Sequence, residues 1–360
     1  MAIVRRSFFP NPESMLYIHQ HTCISPQKTF ADVDLDMLHE SVDNKLLALE
    51  QVYEGIPPAA LRRMGKAVKM GIGAGLPIIK NNPSIDGIIL GTSNGGMEDC
   101  IRFLNQIIDY DEGMLTPGNF VQSTPNAIAS QLSMMNKNRS YNITHVHRGL
   151  AFENALLDAV MMLKEKPGKN YLLGGVDEIS AYNFNIDYLG GWYKKEKISN
   201  KDLYQSQTPA SIAGEGAAMF LVNDDAAGAV AKLRAMKTLH TDDVELVKGQ
   251  LKAFINNNSD IKIDLFLSGE NGDSRILKFY ESCEAILDTG TPVARFKHMC
   301  GEYPTASSFS FWLSCYILGH QRIPGASLKK STGKPVYENI LVYNSYKGRQ
   351  HSFLLVSNAP

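Results

Sequence analysis

Residues Asn142 to Leu156 read NITHVHRGLAFENAL. The stretch reads as a short strand that feeds directly into a buried helix, whose Leu150, Ala151, Ala155, Leu156, Ala159, Val160 and Leu163 recur at helical spacing. A strand running straight into a helix is the building unit of an α/β protein. The junction is also where a helix offers free N–H groups and a partial positive charge, a common place for a nucleophile. Here it carries His145, Val146 and His147. Valine has no atom that can react.

The same rhythm extends outward in both directions. MLYIHQHTCIS near the start, GIILGTS at Gly87–Ser93, YLLGGVDE and GEGAAMFLVN read as strands. Met97–Ile108 places Met97, Cys100, Ile101, Leu104, Ile107 and Ile108 at helical spacing, and Ser123–Met135 reads as a helix with Pro125 near its start. From about Ala226 a second half begins, with strands DLFLSG, NILVYNS and SFLLVSN and a helix near Ser308–Leu318 bearing Phe309, Phe311, Trp312, Cys315 and Ile317. Asn256–Asp260 and Pro324–Pro335 are polar and turn-rich, which predicts surface loops. The shared strand–helix rhythm of 1–225 and 226–360 hints at duplication.

Composition narrows the function classes. The 360 residues are 44% hydrophobic, enough for a large core and for two units or one double domain. Thirty-six basic residues against thirty-seven acidic ones give a net charge of −1, so nothing asks for nucleic acid as a partner. Five dispersed cysteines without CxxC spacing suit a reducing compartment and argue against a disulfide framework or zinc knuckle. MAIVRRSFFPNPES lacks a sustained apolar run, so no signal peptide is expected. No apolar run approaches the ~20 residues of a membrane span. A soluble cytoplasmic protein without a membrane partner is expected.

Several short motifs, in order, resemble the β-ketoacyl synthases of the thiolase-like superfamily. They are LRRMGKAVKMGIGAG at Leu61–Gly75, GTSNGG at Gly91–Gly96, TPNAIASQLS at Thr124–Ser133 and GGVDE at Gly174–Glu178. AGEGAAMFLV at Ala213–Val222, the most specific of the set, KHMCG at Lys297–Gly301 and NSYKG at Asn344–Gly348 complete it. The resemblance spans roughly residues 15–358. It implies a thiolase-like α/β fold of two related mixed-sheet halves, layered α-β-α-β-α, with no cofactor.

Such an enzyme needs a cysteine activated at a helix N-terminus and two histidines that assist decarboxylation and stabilise an enolate. The family's Thr-Ala-Cys run corresponds to Thr144, His145 and Val146, which puts valine at the nucleophile's place. The first histidine corresponds to Ser268 in LSGENGD, near Glu270 and Asp273, and the second to Glu302 in KHMCGE, where Lys297 is kept. The Gly-Phe-Gly-Gly turn that helps form the oxyanion hole is altered to YKGRQHS. Carboxylates beside an enolate would repel it, so condensation chemistry is not expected.

The resemblance therefore implies a catalytically silent chain-length factor. Such a chain pairs with an active ketosynthase, through the strand near Asn142–Val146, and shapes the acyl pocket in a type II polyketide, aryl polyene or flexirubin-like system. Its length and departures resemble the aryl-polyene type more than the aromatic type. Gln131 and Met134 are candidates for the acyl pocket. Arg62, Arg63, Lys66 and Lys69 form a basic run that is either a solvated helix face or a docking surface for an acidic acyl carrier protein. The Met134-Met135 and Met161-Met162 pairs are expected to fill the core. His145 and His147 lack further His or Cys ligands nearby, so no metal is expected, and Glu302 is expected to pair with Lys297 or His298. Two alternatives stand beside this reading. One is an acyltransferase or hydrolase using His145 or His147 with Glu270 or Glu302, the other a homodimeric acyl-binding scaffold.

Overall fold

The computed structural model describes residues 16–359 except Glu50, Lys334 and Pro335. The segment read for a signal peptide, and part of the 324–335 loop, lie outside the described residues.

Eleven strands form one twisted sheet: β1 (Leu16–Ile24), β2 (Gly87–Thr92), β3 (Tyr141–Val146), β4 (Tyr171–Asp177), β5 (Gly216–Asn223), β6 (Ala231–His240), β7 (Leu265–Ser268), β8 (Val293–Arg295), β9 (Leu328–Lys330), β10 (Asn339–Tyr346) and β11 (Gln350–Asn358). The order is β9-β8-β7-β10-β11-β6-β1-β5-β4-β2-β3. Within it one pattern occurs twice. Counting strands inside each half and leaving aside the extra edge strand β9, both run 3-2-4-5-1, with the first two pairings parallel and the next two antiparallel. The halves meet where β1 pairs antiparallel with β6 at Leu16–Ile18.

Six principal helices, α1 (Lys66–Asn81), α2 (Met97–Asp109), α3 (Ala127–Met135), α4 (Ala151–Glu165), α5 (Val244–Asn256) and α6 (Ala306–His320), build the layers. α1 and α3 cover one face of the first half through Ile72, Ile79, Ile128 and Leu132. α4 and α6 lie between the halves, where Phe152, Phe220 and Phe311 pack together. α5, with the short helix Leu277–Glu284, covers the outer face of the second half through Val247, Leu251 and Phe279. The result is the expected five-layer α-β-α-β-α arrangement. α6 is buried on nearly every side, and its Ser308, Ser310 and Ser314 hydroxyls donate to carbonyls one turn back, which satisfies these three buried groups.

Two local expectations need correction. Leu328–Lys330, read as loop, is an exposed edge strand on β8, because its pairing partner is distant in sequence. The apolar stripe of α2 does not face the core. Asp99 is its one buried residue, and Leu104 and Ile108 are exposed.

Burial also sets a pH dependence. His351 on β11 accepts from Tyr343 Oη at 3.0 Å through Nδ1 and donates to the Thr241 carbonyl at 3.0 Å through Nε2, which satisfies the neutral ring. Burial lowers its pKa to about 4. The stability this provides is complete above about pH 6.5 and is lost as the pH falls towards 4. Asp177 and Glu178, raised by burial to about 6 and about 7, act in the opposite sense. A variant therefore isolates the histidine. Between pH 7 and pH 5, His351→Gln is expected to lose about 2 kcal/mol less stability than the parent, read from urea unfolding at each pH.

Candidate functional site

β3 ends at Val146 and the chain bends hard into α4. His147 is followed by Arg148 at φ 47° and a single 3-10 turn, Arg148–Leu150. A non-glycine residue in the left-handed region costs about 1–3 kcal/mol, so its surroundings must hold it. Gly149 supplies the anchor. A Cβ there would stand 2.2 Å from that of Tyr346, and its N–H donates to Gln350 Oε1 at 2.9 Å. The amide nearest the helix start is thus already taken from within the chain. Val146 itself is 49% exposed on the outer rim.

The two histidines part company. His145 Nε2 lies 2.9 Å from Asp158, which also accepts from Tyr141 Oη at 3.0 Å. His147 is exposed, with Nδ1 3.4 Å from Gln350 Nε2. Neither meets a carboxylate of the second half. Glu270 belongs to another cluster, with Arg295 at 3.0 Å and Lys329 at 2.6 Å. The histidine–Glu270 or histidine–Glu302 pairing considered above is therefore not formed, because each carboxylate is neutralised by a nearer cation.

Ser268 closes β7, fully buried, its Oγ accepting from the Glu270 N–H at 3.3 Å. Glu302 accepts from Lys297 Nζ at 2.8 Å and from Asn271 Nδ2 at 2.6 Å, and Lys297 is wholly enclosed. Of the two partners expected for Glu302, Lys297 is the one found. His298 instead meets Tyr204 Oη at 3.1 Å, and burial next to Arg295 lowers its pKa to about 3. Gly301, at φ 74°, backs onto Gly214, where a Cβ would stand 2.5 Å from the neighbouring Cα. That contact is why two glycine-bearing motifs far apart in sequence are both needed.

Three carboxylates outside the expected set organise the floor. Asp177 accepts from Thr92, the Ser93 amide and both donors of Thr305. Glu178 accepts the amides of Ala67 and Glu98. Glu215 takes the amides of Ala48 and Ile179 and a 2.6 Å ion pair from Lys66. The GGVDE and AGEG motifs carried this signal, and so did SGENGD and YKGRQHS for Asn271 and Gln350.

Little space remains around these groups. The cavity bounded by Trp192, Asn271, Glu302, Tyr346 and Lys347 holds about 10 Å³, close to the minimum for one water. Its neighbour, bounded by Arg148, Asp177, Tyr303 and Tyr346, holds about 50 Å³. Neither accommodates an acyl thioester. Burial also raises the thiols of Cys23, Cys283 and Cys315 to about 12, and that of Cys300 further, so none of these four substitutes as a nucleophile. Among the described residues no cluster of three His, Cys, Asp or Glu side chains is placed to hold a metal, and no helix is long and apolar enough to cross a membrane.

The basic run is not one helix face. Arg62 and Arg63 are exposed in the turn before α1, Lys69 is half-buried, and Lys66 is engaged by Glu215. The methionine expectation also fails in part. Met134 and Met161 are 71% and 59% exposed, whereas Met162 is buried. Gln131 is half-buried beside Met134 on α3.

A doubled 3-2-4-5-1 sheet sandwiching two central helices, with a strand-to-helix elbow, defines a thiolase-like α/β protein. A family model and solved structures show which proteins the chain is similar to. Residues 42–184 match the family model described as Beta-ketoacyl synthase, N-terminal domain. The ketosynthase ApeO in complex with its chain length factor ApeC, from Xenorhabdus doucetiae, superposes with a TM-score of 0.73 at 11% identity, covering 98% of this chain and 100% of that one. The ishigamide ketosynthase/chain length factor gives 0.72 at 14% identity over 96% and 100%. A β-ketoacyl synthase from Burkholderia phymatum STM815 gives 0.70 at 13% over 96% and 100%. At such identities the likeness establishes the fold. No curated protein matches the chain.

Proposed function

We propose that this chain is a catalytically silent ketosynthase-like subunit, a chain-length factor, that pairs with an active β-ketoacyl synthase and shapes the acyl pocket. The pathway would be a type II polyketide, aryl polyene or fatty-acid-like elongation. The observation that carries the reading is the free edge of β3. In the second half the equivalent edge, β8, is covered by β9, but among the described residues β3 pairs only with β2. An uncovered edge strand is an invitation to pair. Met134, Val146 and Met161 stand exposed on β3 and on the helices that flank it. Exposed apolar side chains collected on neighbouring elements mark an interaction surface.

In this reading Val146, Ser268 and Glu302 are remnants of a catalytic set, with His145, His147, Glu270 and Lys297 as structural neighbours. Gln131 and Met134 would border the pocket from across the interface. Arg62, Arg63 and Lys69 would face the acyl carrier protein. The division into 1–225 and 226–360 would follow the repeated strand order. The small volume of the cavities beside these groups supports the silent reading over the independent acyltransferase or hydrolase.

Co-expression with a ketosynthase that keeps its cysteine and both histidines is expected to give a one-to-one complex by size exclusion with light scattering. Met134→Glu with Met161→Glu places two charges on the surface without touching the core. It should leave the circular dichroism unchanged and weaken the complex at least tenfold, since desolvating unpaired charges is costly. A complex indifferent to both charges, or a stable homodimer that ignores the ketosynthase, would overturn the proposal.

A further inference from the structure

A roomy cavity lies away from the elbow. It holds about 770 Å³ and sits between α1, α6, the second half of β1 and the loops around Phe30 and Tyr53. α6 starts just after Thr305, which binds Asp177 beneath the elbow, and ends at His320, which lines the cavity. Fifteen residues of helix separate the two by about 22 Å. This cavity plays no part in the site described above.

Its wall has a specific chemistry. Trp312, Tyr316 and His320 recur every four residues along one face of α6 and stack in sequence. Their ring centroids are 5.7 and 4.2 Å apart, with interplanar angles of 24° and 22°. His21, on β1, meets Trp312 edge-on at 6.3 Å. The buried Nδ1 of His21 has no hydrogen-bond partner among the described residues. Burial, aided by the nearby His320, lowers its pKa to about 4, so it is neutral at physiological pH. A proline is built into α1 beside it. Pro77 has no N–H to give the Gly73 carbonyl, and both residues line the cavity. At the rim the Lys80 ammonium is held by the Glu54 carbonyl at 3.1 Å.

We propose that this cavity binds a flat, uncharged, conjugated or aromatic small molecule bearing a hydroxyl group. The ligand's plane packs on the Trp312–Tyr316–His320 ladder and its hydroxyl pairs with the His21 imidazole. The volume falls in the range of small-molecule sites, about 300–1,000 Å³, and the mix is the usual one of an apolar wall with few polar groups. Stacking accounts for the flat ligand, because offset aromatic contacts favour one more ring on the ladder. The neutral imidazole offers no counter-charge, and the lining carries one cation and one anion, Lys80 and Glu54, whose formal charges cancel. This site is independent of the silent-subunit reading.

The test uses the full-length chain and 2-naphthol as the probe. The protein has two tryptophans, so Trp192→Phe leaves Trp312 as the reporter. Titration is expected to quench its fluorescence saturably, and naphthalene-2-sulfonate should bind at least tenfold more weakly. Tyr316→Ala should weaken 2-naphthol binding at least tenfold, while Tyr316→Phe stays within twofold. His21→Leu should weaken 2-naphthol at least fivefold and leave naphthalene unchanged. Val33→Trp, at the half-open mouth, closes the cavity without disturbing the core and should abolish binding even if the Tyr316 variant misfolds. Absence of saturable quenching, or equal binding by parent and Val33→Trp, would overturn the proposal.

Discussion

Val146→Cys is expected to yield no β-ketoacyl product. A thiol at this position would lie on an exposed rim. The amide best placed to stabilise its anion, that of Gly149, already donates to Gln350. The decarboxylating step would face Ser268, which is buried against the Glu270 amide, and Glu302, which is held by Lys297 and Asn271. General acid–base assistance contributes about 10²–10⁴-fold per group, so two missing histidines put turnover beyond detection. Product analysis by liquid chromatography and mass spectrometry, with acyl- and malonyl-loaded carrier proteins, reads the outcome. Intact mass reports any acylated thiol separately. Formation of a β-ketoacyl product by this single variant would show that Ser268 and Glu302 had been assigned wrongly.

Lys297→Met is expected to cost about 3–5 kcal/mol of stability. Lys297 is fully enclosed, and its removal leaves the Glu302 carboxylate with Asn271 as its only donor. Glu153 would suffer as well. It is completely buried, and desolvation raises its pKa against the Ser352 and Ser307 hydroxyls and the pull of Lys297. Replacing both partners, Lys297→Met with Glu302→Leu, should recover most of the loss, because no charge is then stranded. Urea unfolding of the parent, both single variants and the double gives the coupling directly. Additive effects of the two substitutions would show that the pair does not act as a unit.

Much of the architecture was legible in the sequence because it is written in short-range periodicity. The α4 stripe from Leu150 to Leu163 is buried residue for residue as its spacing required. The apolar runs at 87–92, 171–177, 265–268 and 352–357 are interior strands. β6 was not, since Lys232, Arg234 and Lys237 interrupt it, yet it forms the seam between the halves. α2 shows the opposite failure. Its stripe is as regular as that of α4, but periodicity reports only that a face is apolar and not what covers it.

The same division runs through the site. The sequence alone determined the chemical inventory: Val146, Ser268 and Glu302 at the positions that the resemblance assigns to a thiol and two histidines, and the GGVDE and AGEGAAMFLV segments with their carboxylates. Those facts are local, since each side chain's reactivity is a property of its own atoms. Only the tertiary structure decided what each group does with its neighbours. It gave His145 to Asp158, Gln350 to the Gly149 amide, Lys297 to Glu302 and Lys66 to Glu215. It also left β3 as an open edge while β9 covered its counterpart. These outcomes depend on distances between residues up to about two hundred positions apart, and electrostatic and hydrogen-bonding energies fall steeply with distance, so the partner that folding brings nearest prevails.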